Sequence, residues 1–201
     1  RDAKSLFLRL IGASALMVVP AGVGLSAVSD PLVTVALGPG WQQAVPVLRL
    51  MAIAGTVAVF GHLSLHLLSA NAVWRTLIGW TFVGAALRVV LLPIGISFHG
   101  LIGAASAVSV AIVVEQAALS WRACHLLDID GGEALAHVWR PVAAAAAMAA
   151  ILWFSGLGWT HADTPAVGLL SGISVGAVSF AAMLATLWAV AGFPGGAEAD
   201  A

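Results

Sequence analysis

Four polar side chains interrupt the long apolar stretches of this sequence and are its candidates for chemistry. They are Arg49, Arg88, Glu115 and Gln116. A charged side chain at the centre of a membrane-spanning helix costs about 2.5–3.5 kcal/mol even on the lenient insertion scale. Each charge therefore needs a reason, which is either a ligand to bind or a partner within the protein.

Arg88 is the strongest candidate because it lies near the middle of a predicted helix over residues 76–96. Its planar guanidinium suits an anionic group of a substrate, such as a phosphate or a carboxylate. The alternative is structural: the side chain is paired within the bundle, or it lies on backbone carbonyls at the Pro93 break. Small and polar residues share its helix face and predict that this face meets protein or a water-filled cavity. They are Thr81, Gly84, Ala85 and Gly95.

The other three candidates have weaker positions in their helices. Arg49 lies about one turn inside the outer boundary and can extend to the interface, so substrate binding is its second interpretation. Glu115 lies nearer the cytoplasmic end and shares a helix face with Arg122. A structural pairing near the inner surface is its first interpretation, and ion coupling, such as a proton relay, is the alternative. Gln116 belongs to a separate stripe that could line a substrate cavity, together with Ser106, Ser109 and Ser120.

Other chemistry has no visible carrier in the sequence. His62 and His66 have a spacing that can chelate zinc from one helix face, but no third ligand is nearby, and polarity at a helix end explains them better. No Ser/His/Asp constellation, cysteine pair or glycine-rich phosphate loop occurs, so we expect no enzymatic activity, metal or cofactor. The net charge of -1 gives no field that would attract nucleic acid.

The elements that must position these residues are membrane helices. The chain is 61% hydrophobic and 8% charged, whereas soluble domains carry about a quarter charged residues. Runs of ~20 apolar residues span a bilayer only as helices or closed barrels, and these unbroken runs predict an all-α polytopic helix bundle. We predict helices at about 8–28, 44–69, 76–96, 101–123, 142–159 and 167–191.

The connections between these helices predict a topology. The run Leu32–Leu50 breaks at Gly38-Pro39-Gly40, where the chain leaves the bilayer and re-enters it. Asp130 is predicted to cap a short interfacial helix over 133–139. Residues 1–192 form one transmembrane unit, and the small, polar tail 193–201 is expected to be a disordered cytoplasmic segment. Glycines four residues apart predict close packing of the last helix. They are Gly168, Gly172 and Gly176.

Lysine and arginine predict the orientation. Six of these basic residues lie at the N-terminus or in the second and fourth connections, and the first, third and fifth connections contain none. By the positive-inside rule the regions with basic residues are cytoplasmic. Six crossings then put both ends of the chain in the cytoplasm. The six basic residues are Arg1, Lys4, Arg9, Arg75, Arg122 and Arg140. Because the chain starts without Met, we expect it to be the C-terminal part of a longer protein.

Four local patterns, in this order and sidedness, resemble the C-terminal half of the Wzx-type polysaccharide flippases of the MOP superfamily. The resemblance covers roughly residues 1–190. The patterns are Leu37-Gly38-Pro39-Gly40-Trp41 followed by Ala44, Pro46 and Leu48, then Leu67-Leu68-Ser69-Ala70 leading to Trp74-Arg75, then Gly100-Leu101-Ile102-Gly103-Ala104-Ala105, and finally Arg140-Pro141 before an alanine-rich helix.

The resemblance implies a transporter of the bacterial inner membrane. Such a protein moves an undecaprenyl-pyrophosphate-linked oligosaccharide across the bilayer during synthesis of surface polysaccharides such as lipopolysaccharide and exopolysaccharide. It has two helical lobes around a central cavity, and this chain would supply one lobe, with the N-terminal lobe missing. Basic cavity residues bind the anionic carrier in this family, and Arg88 matches that role best by depth and chemistry, with Arg49 second.

Two other classes of function remain open. A MATE-like exporter of small cations would need acidic cavity residues, and Glu115 is the only carboxylate well inside a predicted span. A membrane glycan polymerase or ligase would need large outer loops with catalytic side chains, whereas the outer connections here are short. The flippase therefore ranks first, the cation exporter second and the polymerase or ligase third.

Overall fold

The structure is a computed structural model that describes residues 2–160 and 164–190. Over these ranges the chain is an all-α bundle, as predicted, and five of its helices are long and apolar enough to cross a membrane. The predicted tail 193–201 lies outside the described residues. The helices are α1 (Asp2–Ala27), α2 (Ser29–Leu37), α3 (Ala44–Ala70), α4 (Trp74–Leu126), α5 (Gly131–Phe154) and α6 (Pro165–Val190), with a short 3-10 turn at Pro39–Trp41.

Helix α4 is a hairpin that is long and apolar enough to cross a membrane twice. Its 53 residues would extend about 80 Å if straight, far more than a hydrocarbon core of about 30 Å. The helix breaks at His99 and at Gly100, whose φ of 55° is in the left-handed region. Gly95, before the break, and Gly103, after it, lie with their backbones in contact. We call residues 74–98 the first arm and residues 101–126 the second arm.

The helices pack in a chain of neighbours. Both arms of α4 form one side of the bundle and pack on α3, which packs on α1; α1 packs on α5, and α5 packs on α6. Helix α2 fills the space beside α6. The largest buried cluster joins α1, α3 and both arms of α4 near one end of the bundle. Its buried members are Phe7, Leu8, Ile11, Leu68, Leu77, Leu119, Ala123 and Ile129.

Hydrogen bonds fix which connections share an end of the bundle. Lys4 Nζ donates to the carbonyl of Asp128 at 2.9 Å and forms an ion pair with Glu133, so the start of α1 lies beside the α4–α5 connection. At the other end, the backbone N–H of Trp159 donates to the carbonyl of Ala27 at 2.8 Å. Trp41 belongs to this second end, because it lies between α2 and the start of α3, where Arg49 contacts Ser29. We call the two ends the Lys4 end and the Trp41 end.

Two stretches differ from the sequence-based prediction. The first predicted helix stops at Val28, but the chain turns there and continues as α2 until Gly38, whose φ of 92° ends the helix. The predicted interfacial helix over 133–139 is the first part of α5, which starts at a capping box of Asp130 and Glu133. Pro141 lies inside α5 and is buried there. A proline is tolerated at this position because neighbouring helices can satisfy the backbone carbonyl that it leaves without a hydrogen bond.

The glycine spacing in α6 serves packing within the chain. Gly172 and Gly176 are buried. A Cβ at Gly172 would meet the side chain of Val28, and one at Gly176 would touch Leu152 and Met148. The last helix therefore approaches the α1–α2 junction and α5 closely through its glycine face.

Candidate functional site

Arg88 and Glu115 form an ion pair across the α4 hairpin. Nη2 of Arg88 donates to Oε2 of Glu115 at 2.6 Å. The two partners differ in accessibility, because 36% of the Arg88 side chain is exposed and only 8% of the Glu115 side chain is. A buried carboxylate is thus held by an arginine that can still be reached from outside the hairpin.

Glycine in the first arm makes room for this pair. Gly84 lies one turn before Arg88 and is buried. The Glu115 side chain occupies the space where a Gly84 side chain would be, and a Cβ there would collide with its carboxylate. The hairpin turn sets the register that brings Arg88 opposite Glu115, while the Gly84 gap lets the carboxylate lie between the arms.

The rest of the first arm presents apolar side chains outward. The side chains of Phe82, Val83, Val90 and Ile94 are all exposed, as expected for a surface that contacts lipid. The Arg88 guanidinium therefore lies at the border between an apolar outer surface and the interior of the hairpin. Such a position permits contact with a ligand that approaches along the surface of the bundle.

Glu115 has a structural partner, which was one of its two interpretations, but that partner is Arg88 and not a group on its own face of the second arm. Seven residues separate Glu115 from Arg122, so they do share a face of the second arm, but the carboxylate bonds to Arg88. Arg122 instead lines a cavity with His125 and Asp128 near the Lys4 end. The pairing depends on the register between the arms, which the helical period of one arm does not define.

Gln116 points to a different neighbour from Glu115. Its side chain lies against Gly61 of α3, where a Cβ would clash with it. Within the described part of the chain, its Oε1 atom is buried and has no hydrogen-bond partner. The predicted stripe of Gln116 with Ser109 and Ser120 packs toward α3, since Ser64 donates to Ser120 Oγ at 3.4 Å. The structure does not bring this stripe together with Arg88.

Arg49 belongs to a third location, near the Trp41 end. Its Nε donates to Oγ of Ser29 at 2.8 Å, and Ser29 is fully buried. Ser29 in turn donates to the carbonyl of Ser26 at 2.9 Å, and Nε1 of Trp159 donates to the Ser26 hydroxyl at 3.2 Å. Arg49 therefore anchors α3 to the junction of α1 and α2, a contact that the sequence did not reveal.

Among the described residues, His62 and His66 are not joined by a third metal ligand. His62 is exposed, and its Nδ1 lies 2.7 Å from the carbonyl of Ala58 in its own helix. Within residues 2–160 and 164–190, no group of three or more His, Cys, Asp or Glu side chains is placed to hold a metal ion.

Searches against known protein families, curated proteins and solved structures find no match to this chain. Function is therefore inferred from the geometry of the bundle and from the chemistry of the charges within its apolar helices. Those observations define a multi-pass membrane protein with one ion pair inside the α4 hairpin and a separate arginine near the Trp41 end.

Proposed function

We propose that this chain is one lobe of a flippase that moves a lipid-linked oligosaccharide across the bacterial inner membrane. The observation that carries the proposal is the pair of Arg88 and Glu115, in which the buried carboxylate holds a partly exposed guanidinium. Intramembrane charges commonly mark substrate or ion pathways. The four sequence patterns that resemble Wzx-type flippases support the same function.

In the proposed mechanism, the pyrophosphate of the lipid carrier competes with Glu115 for Arg88. A guanidinium presents a planar fork of donors that can bind two phosphate oxygens at once. Its exposed portion allows a phosphate to make a first contact before the bond to Glu115 breaks. Exchange of one anionic partner for another avoids leaving a bare positive charge within the membrane.

Glu115 would couple this exchange to an ion. Once Arg88 turns to the substrate, the buried carboxylate lacks its partner, and a buried charge without a partner is strongly disfavoured. Uptake of a proton or a sodium ion would neutralise Glu115 during that step. Release of the substrate would restore the original pair and expel the ion.

The proposed flippase also needs a second lobe and a defined orientation in the membrane. A second lobe of the same protein would face this one across a central cavity, as in transporters built from repeated halves. The positive-inside rule puts the Lys4 end in the cytoplasm and the Trp41 end in the periplasm. Arg49 lies at a separate location and is not required for the exchange at Arg88.

The direct test is export of the glycan by cells that depend on the full-length protein. In cells matched for the amount of folded protein in the membrane, Arg88→Ala should abolish surface glycan, and Arg88→Lys should restore part of it because the charge is kept and the fork is lost. Arg9→Ala is the control, since Arg9 is an exposed arginine outside the hairpin. Normal export by the Arg88→Ala variant would refute the proposed role.

A cation exporter is the second candidate, and the burial of Glu115 favours it. In that case Glu115 would bind the cargo cation or the coupling ion (a proton or a sodium ion), and Arg88 would only hold the carboxylate when neither is bound. Glu115→Gln would then abolish drug resistance conferred by the protein, while Arg88→Gln would retain it. Drug resistance that follows Glu115 and is independent of glycan synthesis would favour this function over the flippase.

A further inference from the structure

A cavity beside Arg49 combines a charged end with an apolar end. It has a volume of about 410 Å³ and lies between the end of α1, helix α3 and the second arm of α4. Ser26, Arg49 and Ser109 supply its polar groups. The other walls are aliphatic, and Ile53, Val110 and Val113 among them are exposed, so the cavity opens toward the hydrocarbon of the membrane.

Two of the polar groups have unused hydrogen-bonding capacity. Arg49 donates through Nε to Ser29, and among the described residues no carboxylate lies within ion-pair distance of its guanidinium. Ser109 is only 8% exposed, and its hydroxyl has no partner in the part of the chain that the structure describes. A cation and a buried hydroxyl that both face one cavity indicate an oxygen-rich ligand.

The charged, polar and apolar groups of the cavity lie at successive depths, in the same order as the headgroup, the ester groups and the acyl chains of a phospholipid. Helix α3 and the second arm run in the same direction, since Gly61 meets Gln116 and Ser64 meets Ser120. In this register Arg49 lies about one turn nearer the Trp41 end than Ser109, which is about 5–7 Å. Val113 lies a further turn toward the middle of the membrane. The cation is thus at the headgroup level, the hydroxyl below it and the apolar wall deepest.

We propose that this cavity binds an acidic phospholipid from the leaflet at the Trp41 end. The phosphate accepts hydrogen bonds from the free guanidinium nitrogens of Arg49, and an ester carbonyl accepts one from the Ser109 hydroxyl. One acyl chain lies along Val110 and Val113. Because an acidic headgroup adds no ammonium that would compete with Arg49, it is favoured over a zwitterionic one. The proposal is independent of the proposed flippase activity.

Native mass spectrometry of the purified full-length protein with dioleoylphosphatidylglycerol tests this site. Arg49→Gln should lower lipid affinity about tenfold or more, because a charged hydrogen bond is lost, and Ser109→Ala should lower it a few fold. Dioleoylphosphatidylcholine should bind the wild-type protein more weakly. Equal retention of phosphatidylglycerol by the wild type and the Arg49→Gln variant would overturn the proposal.

Two further measurements distinguish a lipid in the cavity from a free anion at Arg49 and from a lipid bound elsewhere. Val110→Trp fills the cavity without touching the bond between Arg49 and Ser29, so it should also release the lipid, whereas Val89→Trp at an exposed valine of the first arm should not. Inorganic phosphate at millimolar concentration should not displace the bound phosphatidylglycerol. Displacement by phosphate would show a site for a free anion, and unchanged binding by Val110→Trp would show that no lipid occupies the cavity.

Discussion

Nη2 of Arg88 lies 2.6 Å from Oε2 of Glu115, and this contact joins residues 27 apart in sequence across the two arms of α4. The pair explains how two charges persist within a membrane-spanning hairpin, since each neutralises the other. It also creates a group that can change partners, because Arg88 is the more accessible of the two.

Removal of either partner should destabilise the protein more than removal of both. A buried charge without its partner costs about 3–5 kcal/mol, whereas a neutral pair avoids that penalty. We expect Arg88→Gln and Glu115→Gln each to lower the thermal unfolding midpoint in detergent, and the double variant to recover part of the loss. Strictly additive effects of the two substitutions would show that the side chains do not interact.

Gly84→Ala should disturb the pair, and Gly79→Ala should not. A Cβ at Gly84 would collide with the Glu115 carboxylate, but at Gly79, in the same arm, it would meet nothing within 4 Å. Alanine otherwise favours a helix by about 1 kcal/mol over glycine. Thermal unfolding should therefore show a loss of stability for Gly84→Ala and none for Gly79→Ala. Equal midpoints for the two variants would contradict the close approach at Gly84.

The hairpin predicts a similar contrast at its tip. A Cβ at Gly103 would run into the backbone of Gly95, which cannot move aside as a flexible side chain can, while one at Gly55 in α3 is unobstructed. We expect Gly103→Ala to lower both the unfolding midpoint and the yield of folded protein, with Gly55→Ala as the matched control. Wild-type behaviour of Gly103→Ala would mean that the arms do not meet there.

The path of the chain predicts which residues can be labelled from each side of the membrane. After Cys124→Ser removes the single cysteine, cysteines introduced at Gly40, His99 and Gly156 should react with an impermeant maleimide added outside. Cysteines at Asn71 and Asp128 should react only after permeabilisation. Labelling of Gly40 and His99 from opposite sides would contradict the α4 hairpin.

The sequence predicts much of the fold because apolar length determines where a chain crosses a bilayer. It also predicts that one face of the first arm meets protein or a cavity. The structure has Gly84 and Gly95 of this face against the second arm, whereas Thr81 and Ala85 are exposed. Small residues permit close approach in membranes, where no hydrophobic difference drives helices together. The break before the second arm at Gly100 follows from a glycine that can adopt a positive φ.

The candidate site is less predictable because it depends on relationships between helices. The period of one helix shows only that Glu115 shares a face with Arg122, whereas its partner is on the other arm. Arg49 can be placed near the membrane interface, but its bond to Ser29 requires the turn at Val28 that starts α2. No pattern in the sequence specifies the register of the α4 arms or the angle of that turn.

The most direct test of the central claim is an exchange of the two charges. Arg88→Glu combined with Glu115→Arg keeps an ion pair across the hairpin but moves the guanidinium to the position that is only 8% exposed. If Arg88 binds the substrate, the exchanged variant should regain the thermal stability that the single variants lose and still fail to export the glycan. Recovery of both stability and export would contradict the account, because the pair would then serve structure alone.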